Sequence, residues 1–439
     1  MKIKTLCLHV GLTALMWPAV VQGQTTIRSV DELWKYADAH NINIVSARFE
    51  ADKAKLAKRI SYSALLPQIN ASGSFTDNTA LQTTLLPGAI FGKPDIPFIA
   101  AKFGQTYIYN GTIGGQMDVL NLQTLFNAKM LRATEAYNIN NLANTRKSVY
   151  QQLAGNYYNY LLMKEAERLN IENILVTDSV VQSTNNKYTE GTENEINLNK
   201  AKINLEKIRE NLINAQYQMV IAKRNIMALL NLPLKEEYNI TDSLEPAKDV
   251  ATGVFQEDPT TQMAFSLQLV SAAQYKAAKF AFLPSLSIAY NYSSVQNNND
   301  FKPLTNSVPW YPSSFWSVKA NIPLFTGGSR IWQMQKAKLD LEESKAKFEA
   351  AMKQADINDA NLQLAFRKAK AMVKHAEEVM RLSRENYVHA SYRYETGVSN
   401  IDDKLKAFSD YIDNQNQYLN QLSDYLLQLY QIKIRQLTF

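Results

Sequence analysis

The sequence predicts a mainly α-helical, internally duplicated chain that also carries four short membrane strands. Three observations predict it. Four long runs are almost free of helix breakers: 122–190 holds only Gly155, and 192–232, 329–396 and 398–439 hold neither Gly nor Pro. Four short segments between those runs alternate apolar and polar residues with period two. The order short helix, strand, loop, strand, very long helix, Gly turn, helix occurs twice.

The chain starts with a segment of export type. Lys2 and Lys4 precede an apolar stretch from Leu6 to Val21, and "VVQGQ" offers small residues for cleavage near Gly23, so residues 1–23 are expected to be a signal peptide. The stretch is shorter than the roughly 18 residues a spanning helix needs. Cys7 is the single cysteine and lies inside this segment, so the mature chain has no disulfide and no thiolate chemistry. No later segment is apolar enough for a spanning helix, which leaves strands as the only way across a membrane.

The first repeat is expected over 24–232, with strands at 67–78 and 105–120 and helices at about 122–190 and 192–232. In the first strand Ile69, Ala71, Gly73 and Phe75 oppose Asn70, Ser72, Ser74 and Thr76. In the second, Tyr107, Tyr109, Ile113, Met117 and Val119 oppose Thr106, Asn110, Thr112, Gln116 and Asp118. The Pro- and Gly-rich stretch 79–104 between them ("LLPGAIFGKPDIPF") reads as an exposed loop. Along the first long helix, Leu142, Val149, Leu153, Tyr157 and Leu161 step by seven and four, a narrow stripe of the coiled-coil kind. Each of the two longest runs would reach about 100 Å at 1.5 Å per residue.

A charged, turn-rich linker, 233–260, separates the halves. The second repeat, 261–439, has expected strands at 284–295 and 314–324 and helices at about 329–396 and 398–439. Leu286, Ile288, Tyr290 and Tyr292 oppose Ser285, Ser287, Asn291 and Ser293; Trp316, Val318, Ala320 and Ile322 oppose Ser317, Lys319 and Asn321. Faces rich in Tyr, Trp and small residues, backed by faces of Ser, Thr, Asn and Gln, point to a transmembrane β-barrel with a watery lumen, a soluble antiparallel sheet packed on a core being the alternative. Four strands cannot close a barrel, and an open edge in lipid leaves backbone groups unpaired at several kcal/mol each. The chain is therefore expected to oligomerise, three copies supplying about 12 strands.

The composition excludes other classes. Net charge is +6, from 47 Lys and Arg against 41 Asp and Glu, and the charges alternate along helices, so there is no nucleic-acid footprint. No nucleophile elbow, P-loop or HExxH occurs, and "GAIFGK" (88–93) is one residue short of a phosphate loop. His40, His375 and His389 are scattered, and no metal or cofactor is expected. Paired acids such as Glu342–Glu343 and Glu377–Glu378 lie in Lys-rich runs that support helical pairing.

"LLPQI" (65–69), "FLPSL" (282–286), "IPLFTGG" (322–328) and the two Tyr-x-x-Gly turns, "KYTEG" (187–191) and "RYETG" (393–397), recur in matching order. On these residues the chain, from about 29 to 439, resembles the TolC-like outer-membrane channel family. The resemblance implies a homotrimer in the cell outer membrane of a Gram-negative-type bacterium, with a shared 12-stranded β-barrel and a helical tunnel, or α-barrel, in the periplasm. It implies an exit duct for efflux of small molecules such as drugs and toxic compounds, not an enzyme. Its partners would be a periplasmic adaptor, or membrane fusion, protein and an inner-membrane transporter of RND or ABC type. A type I protein secretion duct and, in a different class, a soluble periplasmic coiled-coil scaffold or adaptor remain the alternatives.

The resemblance also makes the two turns the periplasmic tips. Tyr188, Gly191, Thr192, Tyr394, Gly397 and Val398 are then the adaptor-contact candidates. Gly191 and Gly397 would reverse the chain where φ must be positive. The family's acidic constriction residues fall at Asp403 and Lys406 after the second turn, and at Asn197 and Lys200 after the first. Ser399 stands where the family can carry a locking Arg. The mixed Asp403/Lys406 ring implies weaker cation selectivity than an all-acidic one would give. Tyr394 is expected to reach Asn197 for a hydrogen bond across the helix pair.

Overall fold

The computed structural model describes residues 25–234, 238–245, 254–301 and 308–439. The expected signal peptide, 1–23, lies outside the described residues, as does part of the linker expected at 233–260. In chain order the elements begin with β1 (Thr25–Ile27), α1 (Val30–His40) and α2 (Ile42–Ser63). They continue with β2 (Gln68–Asp77), β3 (Thr83–Pro87), a 3-10 turn (Gly88–Phe91), β4 (Phe98–Lys102) and β5 (Tyr107–Leu120). The first long helical pair is α3 (Leu122–Thr189) and α4 (Glu195–Leu229), followed by β6 (Tyr238–Ile240). The second half is α5 (Pro259–Phe280), β7 (Ser285–Asn298), β8 (Tyr311–Asn321), α6 (Ser329–Glu395) and α7 (Ile401–Gln436).

Three differences from expectation have local causes. The stretch 79–104 is not a plain loop: β3 and β4 pair antiparallel in it, from Thr83↔Lys102 to Pro87↔Phe98. The turn joining them needs Gly88, because a Cβ there would sit 2.0 Å from the Ile96 carbonyl oxygen. The last strand lies earlier than 314–324, starting at Tyr311 and ending at Asn321, before Pro323. Pro312 is tolerated within it because β8 has a neighbour on one side only. The strand expected at 284–295 runs on to Asn298.

The four larger strands form one antiparallel sheet in the order β2-β5-β7-β8. Each repeat supplies a hairpin, and β5 with β7 joins them, from Tyr107↔Asn298 to Leu120↔Leu286, with a register shift beside Val119. Aromatic pairs face each other across the ladders, Phe75 with Tyr109 (5.0 Å between ring centres) and Tyr290 with Trp316 (4.8 Å). On the other face Ser293 and Ser313 share a hydrogen bond of 2.8 Å. Every residue of β2 is exposed. The outer edges of β2 and β8 have no partner among the described residues. Among the described residues no helix is long and apolar enough to cross a membrane.

The chain divides into two compact units, and neither coincides with a sequence repeat. One unit gathers residues up to Ala37, Leu153–Ala247 and His375–Ser423; the other gathers Asp38–Gln152, Lys248–Lys374 and Asp424–Phe439. Both draw on both repeats: the strand hairpins of both repeats belong to the second unit, the two Gly turns of both belong to the first, and α3, α6 and α7 each contribute residues to both units. Helix α4 buries Ala201, Leu205, Ile208, Ala215, Ala222 and Ile226. Helix α7 buries Ile401, Leu405, Phe408, Ile412, Gln415, Leu419, Leu422, Leu426 and Leu429. Those α7 positions step by four and three without a break, the coiled-coil seam. Its one polar member, Gln415, accepts a hydrogen bond from Asn173 Nδ2 (3.0 Å), both residues buried, which fixes register.

Each unit has a buried polar tie. In the first, the Tyr157 hydroxyl donates to Asp242 (2.5 Å), and Lys164 Nζ donates to the carbonyls of Ile240 (3.2 Å) and Asp242 (3.0 Å). This holds the small parallel pair β1–β6 against α3. In the second, Asp258 caps α5 by accepting from the Thr260 N–H (2.8 Å) and pairs with Lys147 of α3. Arg435 of α7 forks onto Asp359 of α6 (2.7 and 2.8 Å) and lies 3.7 Å from Asp258. Burial raises the Asp258 pKa, but the bond and charge of Lys147, with the Thr260 donors, outweigh it and hold the carboxyl below its usual 3.8.

A carboxyl depressed in the folded state stabilises above its unfolded pKa and loses that stabilisation as pH falls through the folded value. Asp258→Asn keeps a capping side chain and removes the charge. At neutral pH it should cost about 3 kcal/mol, measured by denaturation followed through helical circular dichroism. The gap to wild type should shrink as the pH is taken below 3.8. A gap that stays constant down to pH about 2 would show that the charge of Asp258 contributes nothing.

Candidate functional site: the paired helical turns

The two Tyr-x-x-Gly turns fold as one motif used twice. After α3, Gly191 has φ 72°, and after α6, Gly397 has φ 74°. The Gly191 N–H donates to the Tyr188 carbonyl (3.0 Å) and the Thr192 N–H to the Lys187 carbonyl (2.9 Å). In the second turn the Gly397 N–H donates to Tyr394 (3.1 Å) and the Val398 N–H to Arg393 (2.8 Å). This is the Schellman arrangement, in which the residue after the last helical turn must be left-handed, so glycine is favoured. A Cβ on either glycine would meet nothing within 4 Å, so the requirement comes from the backbone alone.

Three residues after each glycine an Asn starts the next helix. Asn194 Oδ1 accepts from the Asn197 N–H (2.9 Å), and Asn400 Oδ1 from the Asp403 N–H (3.0 Å). The repeated Gly-x-x-Asn spacing in "GTEN" and "GVSN" carries this signal, and the sequence reading above passed over it.

The side chains around the two turns are not equivalent. Tyr188 is 41% exposed, whereas Tyr394 is 7% exposed and packs with Val180, Ala201, Ile401 and Leu405. Lys187 Nζ lies 4.0 Å from the centre of the Tyr394 ring and Lys404 Nζ 5.3 Å from it. Of the six contact candidates, Tyr188, Gly191, Thr192, Gly397 and Val398 lie on the surface, and Tyr394 is turned inward under two lysines. The expected Tyr394–Asn197 hydrogen bond is not made. The Tyr394 hydroxyl has no partner among the described residues, while Asn197 Nδ2 donates to Glu193 (2.6 Å), a nearer acceptor on its own turn.

The four constriction candidates lie one to three turns beyond the glycines. Lys200 pairs with Asp402 (2.7 Å), a residue the sequence reading did not single out, and so ties α4 to α7. Asp403 and Lys406 are exposed on α7 and are in no ion pair among the described residues. Lys404 instead contacts Glu395 at 3.5 Å. Just beyond the turns, Tyr387 packs against Phe408 with the rings tilted at 45° (4.8 Å between centres), and burial, with the negative charge of Glu395, raises its pKa. Among the described residues no cluster of His, Cys, Asp and Glu could hold a metal.

A family model described as outer membrane efflux protein matches residues 33–232 and 256–434. The toluene efflux pump outer membrane protein TtgC of Pseudomonas putida is 21% identical over 84% of this chain and 75% of its own. The Campylobacter jejuni outer membrane channel CmeC superposes with a TM-score of 0.77 at 16% identity, covering 99% of this chain and 93% of that one. The Vibrio cholerae outer membrane protein VceC gives a TM-score of 0.77 at 16% identity, covering 92% and 95%.

Tyr394 allows a sharp test of the turn packing. Tyr394→Phe should change stability by less than about 0.5 kcal/mol, because the hydroxyl has no hydrogen-bond partner among the described residues. Tyr394→Ala should cost about 3 kcal/mol, as loss of a buried ring does. A Phe variant as damaging as the Ala variant, in the same denaturation experiment, would reveal a partner for the hydroxyl. Gly397→Ala should cost about 1–2 kcal/mol through the left-handed φ alone.

Proposed function

The chain belongs to the outer membrane efflux protein family, and from that premise we propose that it works as a homotrimeric exit duct for small molecules. It resides in the outer membrane and acts in efflux, as its family does. The observation that carries the trimer is the open four-stranded sheet. Its β2 and β8 edges lack partners among the described residues, and β2 is exposed over its full length. In lipid such edges must pair, and β8 of one copy against β2 of the next closes the ring with three copies. The barrel then carries 12 strands, enough to leave a lumen.

The cargo reading is small molecules, the class named for TtgC, a toluene efflux pump protein. The partners proposed are a periplasmic adaptor and an inner-membrane transporter, of RND or ABC type. The exposed tip residues Tyr188, Gly191, Thr192, Gly397 and Val398 are the surface offered to the adaptor. Thr192 and Val398, directly after the two glycines, present one hydroxyl-bearing and one apolar side chain at equivalent positions. Tyr394 supports that surface from beneath through its packing with Ile401 and Leu405.

At the entrance, Lys200 is offset by Asp402 within each chain, so of the constriction candidates Asp403 and Lys406 are the charges left without an ion pair among the described residues. Three copies of each make a ring of mixed sign, and rings of charged side chains set which ions pass.

Two measurements test this reading. The mature protein should fractionate with the outer membrane and run as a trimer in detergent; a soluble monomer in plain buffer would overturn it. In planar bilayers Asp403→Ala should lower the cation-to-anion permeability ratio and Lys406→Ala should raise it. Ratios unchanged by both substitutions would remove these residues from the entrance.

A further inference from the structure

The junction between the sheet and the helices that flank it carries a charge pattern that duct closure does not require. No Asp or Glu occurs at 53–66, 119–134, 259–284 or 322–339, the helical and connecting segments that lead into and out of the four larger strands. Those segments do carry cations: Arg59 on α2, Lys129 on α3, Lys276 and Lys279 on α5, and Arg330 and Lys336 on α6. Elsewhere the long helices mix signs, as in the Arg168 pairs with Glu165 and Glu172 and the Arg381 pairs with Glu378 and Glu385. The collar is therefore local to the junction.

At its centre lies a cavity of about 190 Å³ lined by Asn121, Gln123, Ser285, Asn321 and the half-buried Arg330, with Leu283 on its wall. Arg330 Nη1 donates to the Ala281 carbonyl, the residue that ends α5, and this anchors the guanidinium there. No carboxylate pairs with Arg330 among the described residues, and its other N–H groups have no acceptor there. Asn121 is committed to its own turn, donating to Asp118 (2.9 Å) and accepting from the Thr124 N–H (3.1 Å). Beside the cavity the chain exposes Leu324 (92%), Phe325 (89%), Trp332 (67%) and Leu283 (45%). An apolar, Trp-bearing band next to cations is what the boundary between acyl chains and headgroups favours.

We propose that Arg330 and its cavity bind the phosphate ester of a glycerophospholipid, with Lys279 and Lys336 as the outer cations and the Leu324–Phe325 segment against the acyl chains. The ligand chemistry is a phosphate monoanion: guanidinium takes two phosphate oxygens at once, and the anion has no carboxylate to displace. The apolar flank favours a lipid over free phosphate. The inference rests on the outer-membrane reading above, since it needs the sheet ends to meet a lipid interface.

Native mass spectrometry of the detergent-purified trimer tests it, with phosphatidylglycerol, diacylglycerol and inorganic phosphate as separate probes. Wild type should retain phosphatidylglycerol, R330Q should lower its occupancy about tenfold at equal lipid concentration, and R330K, which keeps the charge but not the two-pronged contact, should restore only part of it. Diacylglycerol, which lacks the phosphate, should show no dependence on Arg330. Equal phosphatidylglycerol occupancy in wild type and R330Q overturns the proposal. So does full displacement by millimolar inorganic phosphate, which would mark a small-anion site. Should R330Q fail to assemble, K279Q/K336Q leaves the cavity intact and should lower occupancy about threefold; no change there overturns the proposal equally. A wild-type protein absent from the outer membrane would instead refute the duct reading. A membrane-embedded, conducting trimer whose lipid retention ignores all three cations refutes only the phosphate site.

Discussion

The structure depends on one constraint: a β-strand in hydrocarbon cannot leave its backbone N–H and C=O groups unpaired. The chain brings four strands into a single sheet whose outer edges, on β2 and β8, are bare among the described residues. In water such edges would invite indiscriminate pairing; in lipid they demand it. Duplication answers half of the demand, because β5 and β7, one from each repeat, pair over almost their whole length. In the proposed trimer sister chains would answer the other half, so that assembly there would rest on hydrogen-bond completion and not on an apolar patch.

The helical part obeys a different rule. In water a helix of this length is held by a continuous seam, and α7 keeps its four-and-three spacing from Ile401 to Leu429. A seam of apolar contacts alone tolerates sliding by a heptad. The buried Asn173–Gln415 bond and the ionic group of Lys147, Asp258, Asp359 and Arg435 do not, since a slip would strand charges away from partners. The two kinds of contact divide the labour: the seam supplies burial, and the polar ties supply register.

Duplication also explains where the two halves diverge. Both turns need the same backbone, so both keep a left-handed glycine and an Asn cap. Their side chains have no such shared requirement. Tyr188 faces out, and Tyr394 is buried beneath Lys187 and Lys404. Lys200 finds Asp402 on the neighbouring hairpin, while Asp403 and Lys406 stay exposed. The scaffold is symmetric because backbone geometry is, and the chemistry of the tip is not.

Much of this was legible in one dimension. Glycine and proline placement marked the helices, because those residues act locally on φ and on one N–H. Alternation at Ile69, Ala71, Gly73 and Phe75 marked a strand, because side-chain direction along a strand has period two. The glycines at 191 and 397 announced their own reversal. The sequence by itself therefore determined the long helices, the four larger strands, the duplication and the unfinished sheet, but not the β3–β4 hairpin in 79–104 or the short β6, whose pairing depends on partners elsewhere in the chain. What it left open depends on which surfaces meet. That Tyr394 turns inward, that Asp402 and not Asp403 receives Lys200, and that the compact units cut across both repeats are outcomes of packing between segments some two hundred residues apart. No local propensity encodes such a choice; it is settled only when the helices are side by side and each charge takes the nearest partner that burial leaves within reach.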